Sequence, residues 1–264
     1  MQLFDTHAHL DQPEFAEDRA AVIARAHEAG VANIIAVGIS ADTSAAAIEV
    51  AREFDGVHAA VGMQPNYLAE AKPGDWDRVV AMLDQPKVVA IGETGLDRHW
   101  DFTPFDVQQD YFDRHLRLSQ DRGLPFIVHI RDCDEDILVM LREAHQRGPL
   151  NGVMHSFTGS RAMCDECVAM GLYISFAGMV TFKKSEELRE IAASVPDDRI
   201  LIETDSPYLT PEPVRKIKRN EPSHVRFTAG CLAEVRHKTL EAFAEQTSTN
   251  AKRLFRISEK EGNQ

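Results

Sequence analysis

Short apolar runs alternate along the chain with longer segments whose apolar residues recur at helical spacing. Residues 33–38, 57–62, 88–92, 125–128, 152–154, 172–176 and 200–203 are short and mostly apolar, and 3–7 opens on the apolar pair Leu3-Phe4. Continuity, rather than strict in–out alternation, marks strands covered on both faces, as in a parallel sheet. Between them, helical spacing predicts helices over 15–29, 42–54, 76–83, 105–120, 134–144, 161–170 and 186–194, with Gly30 placed to cap the first. Eight such units in 264 residues predict an α/β protein with a closed (β/α)8 TIM barrel as its single domain. No glycine-rich dinucleotide fingerprint follows the first strand, which argues against an open doubly wound sheet. The barrel is expected to span residues 1–258, with the segment after Thr228 as terminal helices packed on it and 259–264 as a polar tail.

Composition changes this picture little, and charge constrains it. Hydrophobic content of 44% and charged content of 27% are ordinary for a globular protein. The net charge of −13 repels polyanions at long range, so action on nucleic acid requires a local cationic patch or bound metal. Cys164 and Cys167 have C-x-x-C spacing without a second pair, and with Cys133 and Cys231 they read as reduced structural thiols. No basic stretch leads into an apolar run, and no run approaches the ~18 apolar residues of a membrane span, so a cytoplasmic location is expected.

The chemistry is written where the apolar runs stop. His7 and His9 lie two apart at the end of the first strand, so both imidazoles point the same way. Glu93 follows the fourth run, His129 the fifth, His155 the sixth, and Asp205 comes just after the eighth. In a barrel these positions gather at the C-terminal mouth, where such enzymes keep their active sites. Four histidines and two carboxylates exceed the needs of one tetrahedral zinc. They suit two ions bridged by Glu93, with His7, His9 and Asp205 on one and His129 and His155 on the other. Mixed imidazole and carboxylate donors are compatible with Mg, Mn, Zn or Fe, as one or two divalent metal ions.

At these residues the chain resembles the TatD family of metal-dependent deoxyribonucleases, within the amidohydrolase-like metallohydrolases. The matching stretches are Asp5-Thr6-His7-Ala8-His9-Leu10, Gly92-Glu93-Thr94-Gly95-Leu96-Asp97, His129-Ile130-Arg131-Asp132, His155-Ser156-Phe157-Thr158-Gly159, Glu203-Thr204-Asp205-Ser206-Pro207 and Arg219-Asn220-Glu221-Pro222. The resemblance implies a barrel, a divalent-metal centre and hydrolysis of DNA phosphodiesters, often from a 3′ end. One position departs from the family pattern: Gln64 stands where the family usually has histidine, and glutamine cannot transfer protons near neutral pH.

Expected roles follow. Asp205, with Glu93, carries the catalysis: a metal acidifies water, and Asp205 orients it and accepts its proton. Glu203 supports a ligand from behind. Gln64, Arg131, Tyr208, Lys218 and Arg219 are candidate substrate contacts, the last two in the basic cluster Arg215-Lys216-Ile217-Lys218-Arg219. Tyr208 and Trp100 are placed to stack on bases, although Trp100 with Phe102 and Phe105 fits loop packing equally well. The alternatives are a small-molecule amide, lactone or ester hydrolase with the same centre, and a non-enzymatic metal- or DNA-binding module.

Overall fold

The structure, a computed structural model, describes residues 1–258, so the expected tail at 259–264 lies outside the described residues. Strands β1 (Leu3–Ala8), β2 (Val31–Val37), β3 (Val57–Val61), β4 (Val88–Asp97), β5 (Phe126–Arg131), β6 (Gly152–Met154), β7 (Tyr173–Phe176) and β8 (Ile200–Ile202) form one sheet in sequential order. Each is parallel to the next. The ring is completed at the mouth by a bridge between Ala8 and Ser206. There the His9 amide donates to the Ser206 carbonyl at 2.8 Å and the Asp205 amide to the His7 carbonyl at 2.9 Å. This is the (β/α)8 barrel that the runs predict.

Helices α1 (Arg19–Glu28), α2 (Ala41–Glu53), α3 (Asp75–Met82), α4 (Phe105–Arg122), α5 (Asp134–Arg147), α6 (Arg161–Ala169), α7 (Glu186–Ser194), α8 (Val225–Val235) and α9 (Leu240–Phe255) surround the strands. Their starts carry local signals. A Ser40–Thr43 capping box opens α2, the Ser160 hydroxyl accepts from the Met163 amide in α6, and the Thr239 hydroxyl accepts from the Ala242 amide in α9. One apolar layer lies between strands and helices. A second fills the barrel, where Phe4, Ile35, Ala60, Ile127 and Leu201 meet Ala251, Leu254 and Phe255 of α9. Asn250 donates to the Ile200 carbonyl and Ser248 to the Gln2 carbonyl, so α9 plugs the N-terminal end of the barrel and leaves the opposite end for the site.

Two elements differ from the sequence expectation. The first helix begins at Arg19 rather than Phe15, because 13–15 form a separate 3-10 turn that buries Phe15. Strand β4 does not stop at Gly92 but runs to Asp97, pairing Thr94 through Asp97 with Val128 through Arg131 after a register shift. Gly95 makes this possible: its φ is +140°, and a Cβ there would lie 2.0 Å from the His129 carbonyl oxygen.

Candidate metal centre

The extended β4 places Glu93 inside the mouth rather than at its rim. Its carboxylate divides the histidines into two pairs. Oε2 lies 3.4 Å from His7 Nε2 and 3.8 Å from His9 Nε2. Oε1 lies 2.8 Å from His129 Nδ1 and 3.3 Å from His155 Nε2. Asp205 Oδ1 faces the first pair, 3.4 Å from His9 Nε2 and 3.7 Å from His7 Nε2. His7, Glu93 and His155 form one donor group, and His7, His9 and Asp205 form another, each with its ligand atoms within 4.8 Å of one another. All six expected ligands therefore converge.

The donor set fits divalent metal, and the outward-facing nitrogens say why. His9 Nδ1 donates to the Val37 carbonyl at 3.0 Å. His129 Nε2 donates to Asp97 at 2.9 Å, and His155 Nδ1 donates to Glu203 at 3.2 Å. A carbonyl or carboxylate can only accept, so each outer nitrogen carries the proton. The inner nitrogen of the neutral ring then presents a lone pair to the carboxylates. The inner nitrogens of His7 and His9 stand 3.2 Å apart, and buried His7 Nδ1 has no partner. Electronegative atoms gathered this closely away from solvent are stabilised by a cation or by protons.

Without metal, protons serve. Burial by itself would drive the Glu93 carboxyl up, but the charge of His155 and hydrogen bonds from His129, His155 and His7 hold it well below the carboxylate range. Burial disfavours charge on His9, yet the Asp205 hydrogen bond and charge outweigh it and raise the imidazole to about 9. His155 rises by the same opposition, against burial and through the charge of Glu93. His7 moves the other way, lowered by burial and by the charge of His155. Burial opposes ionisation of Asp205 too, but the His9 hydrogen bond and the neighbouring imidazolium charges lower it.

Behind the six donors lies a further layer of carboxylates, of which the sequence pattern points only to Glu203. Glu203, expected as support, accepts from His155 and from the Ser156 amide at 2.7 Å. The sequence pattern alone assigns Asp97 no role. Its buried carboxylate accepts from His129, from Asn66 at 2.8 Å, and from the His99 and Trp100 amides at 2.9 and 3.1 Å. Those bonds outweigh its burial and hold its carboxyl at about 2. The signal was present, since Glu93, Gly95 and Asp97 alternate along one strand and share a face. Nor does the sequence pattern assign one to Asp5. It lies beneath the site, accepting from the Thr204 amide and hydroxyl at 2.8 and 2.6 Å, and burial lifts its carboxyl to about 8 against those bonds.

The expected substrate contacts scatter more widely. Tyr208 stands at the mouth, its ring 6.0 Å from that of His9 and its hydroxyl donating to Gln12 at 3.3 Å. Lys218 is exposed on the segment after β8, without an ion pair among the described residues. Arg131 is exposed, and Asp132 beside it pairs with His99 at 3.1 Å instead. Gln64 is buried, and its Oε1 accepts from the Asn66 amide at 2.8 Å as a turn cap. Arg219 is committed elsewhere: its guanidinium donates to both oxygens of Asp18 at 2.7 and 2.8 Å and to the Glu14 carbonyl at 2.7 Å. A guanidinium with a carboxylate across its fork has little left for phosphate.

The chain is similar along nearly its whole length to known proteins. The family model described as TatD related DNase matches residues 4–256. An uncharacterized metal-dependent hydrolase of Bacillus subtilis, YabD, is 43% identical over 256 residues, covering 97% of this chain and 100% of that protein. The 3′-5′ ssDNA/RNA exonuclease TatD of Escherichia coli K12 is 34% identical over 260 residues, covering 97% of this chain and 100% of its own length. Among solved structures, YjjV, a TatD homologue from Escherichia coli K12, superposes with a TM-score of 0.90 at 29% identity, covering 97% of this chain and 98% of that one.

Proposed function

Because this chain belongs to the TatD related DNase family, we propose that it is a divalent-metal-dependent hydrolase of DNA phosphodiester bonds, acting on single strands from the 3′ end. The observation that carries the reading is the Glu93 carboxylate, which offers one oxygen to His7 and His9 and the other to His129 and His155. Two ions, one per histidine pair, with Asp205 completing the first, are the arrangement these contacts support. When bound, they supply positive charge against the phosphoryl oxygens and make water acidic enough to attack near neutral pH.

The residues of the chain do the rest. Asp205 is ionised, because the imidazoles around it outweigh its burial. Its side chain is 14% exposed, against 4% for Glu93, so it is the carboxylate that incoming water meets. It is therefore the group that orients the attacking water and takes its proton. Glu203 and Asp97 hold His155 and His129 in fixed ring orientations and tautomers. The exposed Lys216 and Lys218, unpaired among the described residues, offer the local positive potential that a chain of net charge −13 otherwise lacks. No helix among the described residues is long and apolar enough to cross a membrane.

The small-molecule amide, lactone or ester hydrolase has less behind it, since the family relatives with a named substrate are exonucleases. One assay separates the two. Metal-reconstituted protein is incubated with 5′-labelled single-stranded DNA and, in parallel, with an ester and lactone panel. Stepwise shortening from the 3′ end with release of mononucleotides is expected; turnover of the panel alone would transfer the assignment to the alternative.

A further inference from the structure

Exposure sorts the aromatic side chains by location. Among the described residues, the exposed ones are Tyr67, Trp100, Phe102 and Tyr208, at 40, 43, 58 and 47%. All four stand on segments that follow β3, β4 or β8, at the mouth that holds the metal-binding cluster. Phe105 belongs to a different class: it is half-buried against the core, with the Arg98 guanidinium 3.6 Å above its ring. Apolar rings left in water around one end of the barrel mark a binding surface rather than a core.

Trp100 and Phe102 form the best-defined part of that rim. Their rings are nearly parallel, 8° apart, with centroids 5.3 Å apart. The loop that carries them is fixed along its length. The Asp97 carboxylate accepts from the Trp100 amide at 3.1 Å and, through its other oxygen, from His129 at 2.9 Å. Arg98 is clamped by both oxygens of Asp136 at 2.8 Å. Thr103 is held by Gln108 and by the Ala69 amide at 3.0 and 3.1 Å. A single carboxylate thus ties the aromatic pair to a histidine of the cluster, and little loop entropy remains to be lost when a ligand binds. Arg131, exposed and free of an ion pair among the described residues, has its guanidinium 5.6 Å from the Trp100 ring centre.

We propose that the Trp100–Phe102 pair is a nucleobase subsite: an unpaired base next to the scissile phosphate stacks on it, while Arg131 meets the adjoining backbone phosphate. This rests on the nucleic-acid reading above and deepens it. Stacking accepts any base but demands an unpaired one, so the subsite selects single strands over duplex without selecting sequence. It also supplies affinity that an acidic protein cannot draw from long-range attraction.

The chain offers its own probe, since Trp76 and Trp100 are its two tryptophans. Trp76 is half-buried, edge-on to Tyr111 and His115, so Trp76→Phe leaves Trp100 as the sole indole reporter. Metal-loaded protein carrying Trp76→Phe, with Asp205→Asn to stop turnover, is titrated with a single-stranded oligonucleotide and with an abasic chain of equal length. Fluorescence should be quenched by the oligonucleotide and not by the abasic chain. In otherwise wild-type enzyme, Trp100→Ala and Phe102→Ala should each raise KM for the oligonucleotide roughly 5- to 100-fold with a smaller change in kcat. If wild-type enzyme shortens the oligonucleotide but quenching is absent and both alanine variants keep the wild-type KM, the subsite is wrong and the nuclease reading stands. If wild-type enzyme leaves every oligonucleotide intact and hydrolyses only esters or lactones, the nuclease reading fails and the subsite falls with it.

Discussion

Asp97→Asn tests the logic of the metal centre without touching a ligand. The carboxylate serves four donors: His129 Nε2, Asn66 Nδ2 and the amides of His99 and Trp100. A carboxamide has one accepting oxygen, so no orientation satisfies all four. If the oxygen keeps the two amides, its NH2 confronts the N–H of His129. That imidazole then moves its proton to Nδ1, the nitrogen 2.8 Å from Glu93, where the proton blocks a cation. Loss of one hydrogen bond to a charged group is about 1.5–3 kcal/mol, or roughly ten- to a hundredfold in affinity. The expectation is a selective loss: the ion between Glu93, His129 and His155 weakens by that factor, and the ion at His7, His9 and Asp205 keeps its affinity. Calorimetric titration of metal-free protein with Mn2+ resolves the two. Stability supplies a second readout. The Asp97 carboxyl lies at about 2 against an ordinary 3.8, and this difference stabilises the metal-free fold by about 2 kcal/mol at neutral pH. Because the folded value is the depressed one, the contribution is complete above pH 4 and disappears as pH falls toward 2. The urea midpoints of wild type and variant should therefore converge in acid. Equal affinity for both ions in Asp97→Asn, or equal loss at both, would refute the assigned tautomer.

Other outcomes follow from the same geometry. Asp205→Asn should reduce turnover by at least about a hundredfold, as loss of a general base does, with an unchanged circular dichroism spectrum; near-normal turnover removes Asp205 from the role. Metal binding should release protons, because His9 is raised to about 9 and His155 is also raised in the metal-free site. Affinity should thus climb with pH from 6 to 9, by up to about tenfold per unit for each proton displaced, and calorimetry in buffers of different ionisation enthalpy should show the release. The sign for stability is opposite to that of Asp97: the raised His9 stabilises the metal-free fold fully below about pH 6.5 and ceases to do so as pH passes 9. Gly95→Ala should destabilise by at least about 1–3 kcal/mol from backbone conformation alone, and more from a Cβ 2.0 Å from the His129 carbonyl oxygen; an unaltered melting temperature would contradict the β4–β5 pairing.

The barrel was readable because most of its strands are or begin as apolar runs bounded by polar residues, and covered strands need that pattern. The candidate donors were readable for the converse reason: His129 and His155 follow Phe126-Ile127-Val128 and Gly152-Val153-Met154, where nothing in the local pattern calls for a polar group. What escaped was whatever depends on a distant partner. Glu93-Thr94-Gly95-Leu96-Asp97 looks like loop by hydrophobicity, and it is strand only because β5 supplies the facing ladder. Arg219 looks like a phosphate ligand until Asp18, 201 residues earlier, takes its guanidinium. Asp97 declares itself only once His129 is beside it.

The seam between the first and last strands has a temporal meaning. Asp5 and Thr204 are 199 residues apart and hydrogen-bonded, and the adjoining Asp205 amide is held by the His7 carbonyl. A chain emerging from the ribosome therefore carries His7 and His9 through most of its synthesis with no carboxylate from the eighth strand to answer them. Hydrolytic competence arrives only when the two edges of the sheet meet. A hydrolase whose first and last strands share the site gathers its donor groups only once the barrel has closed.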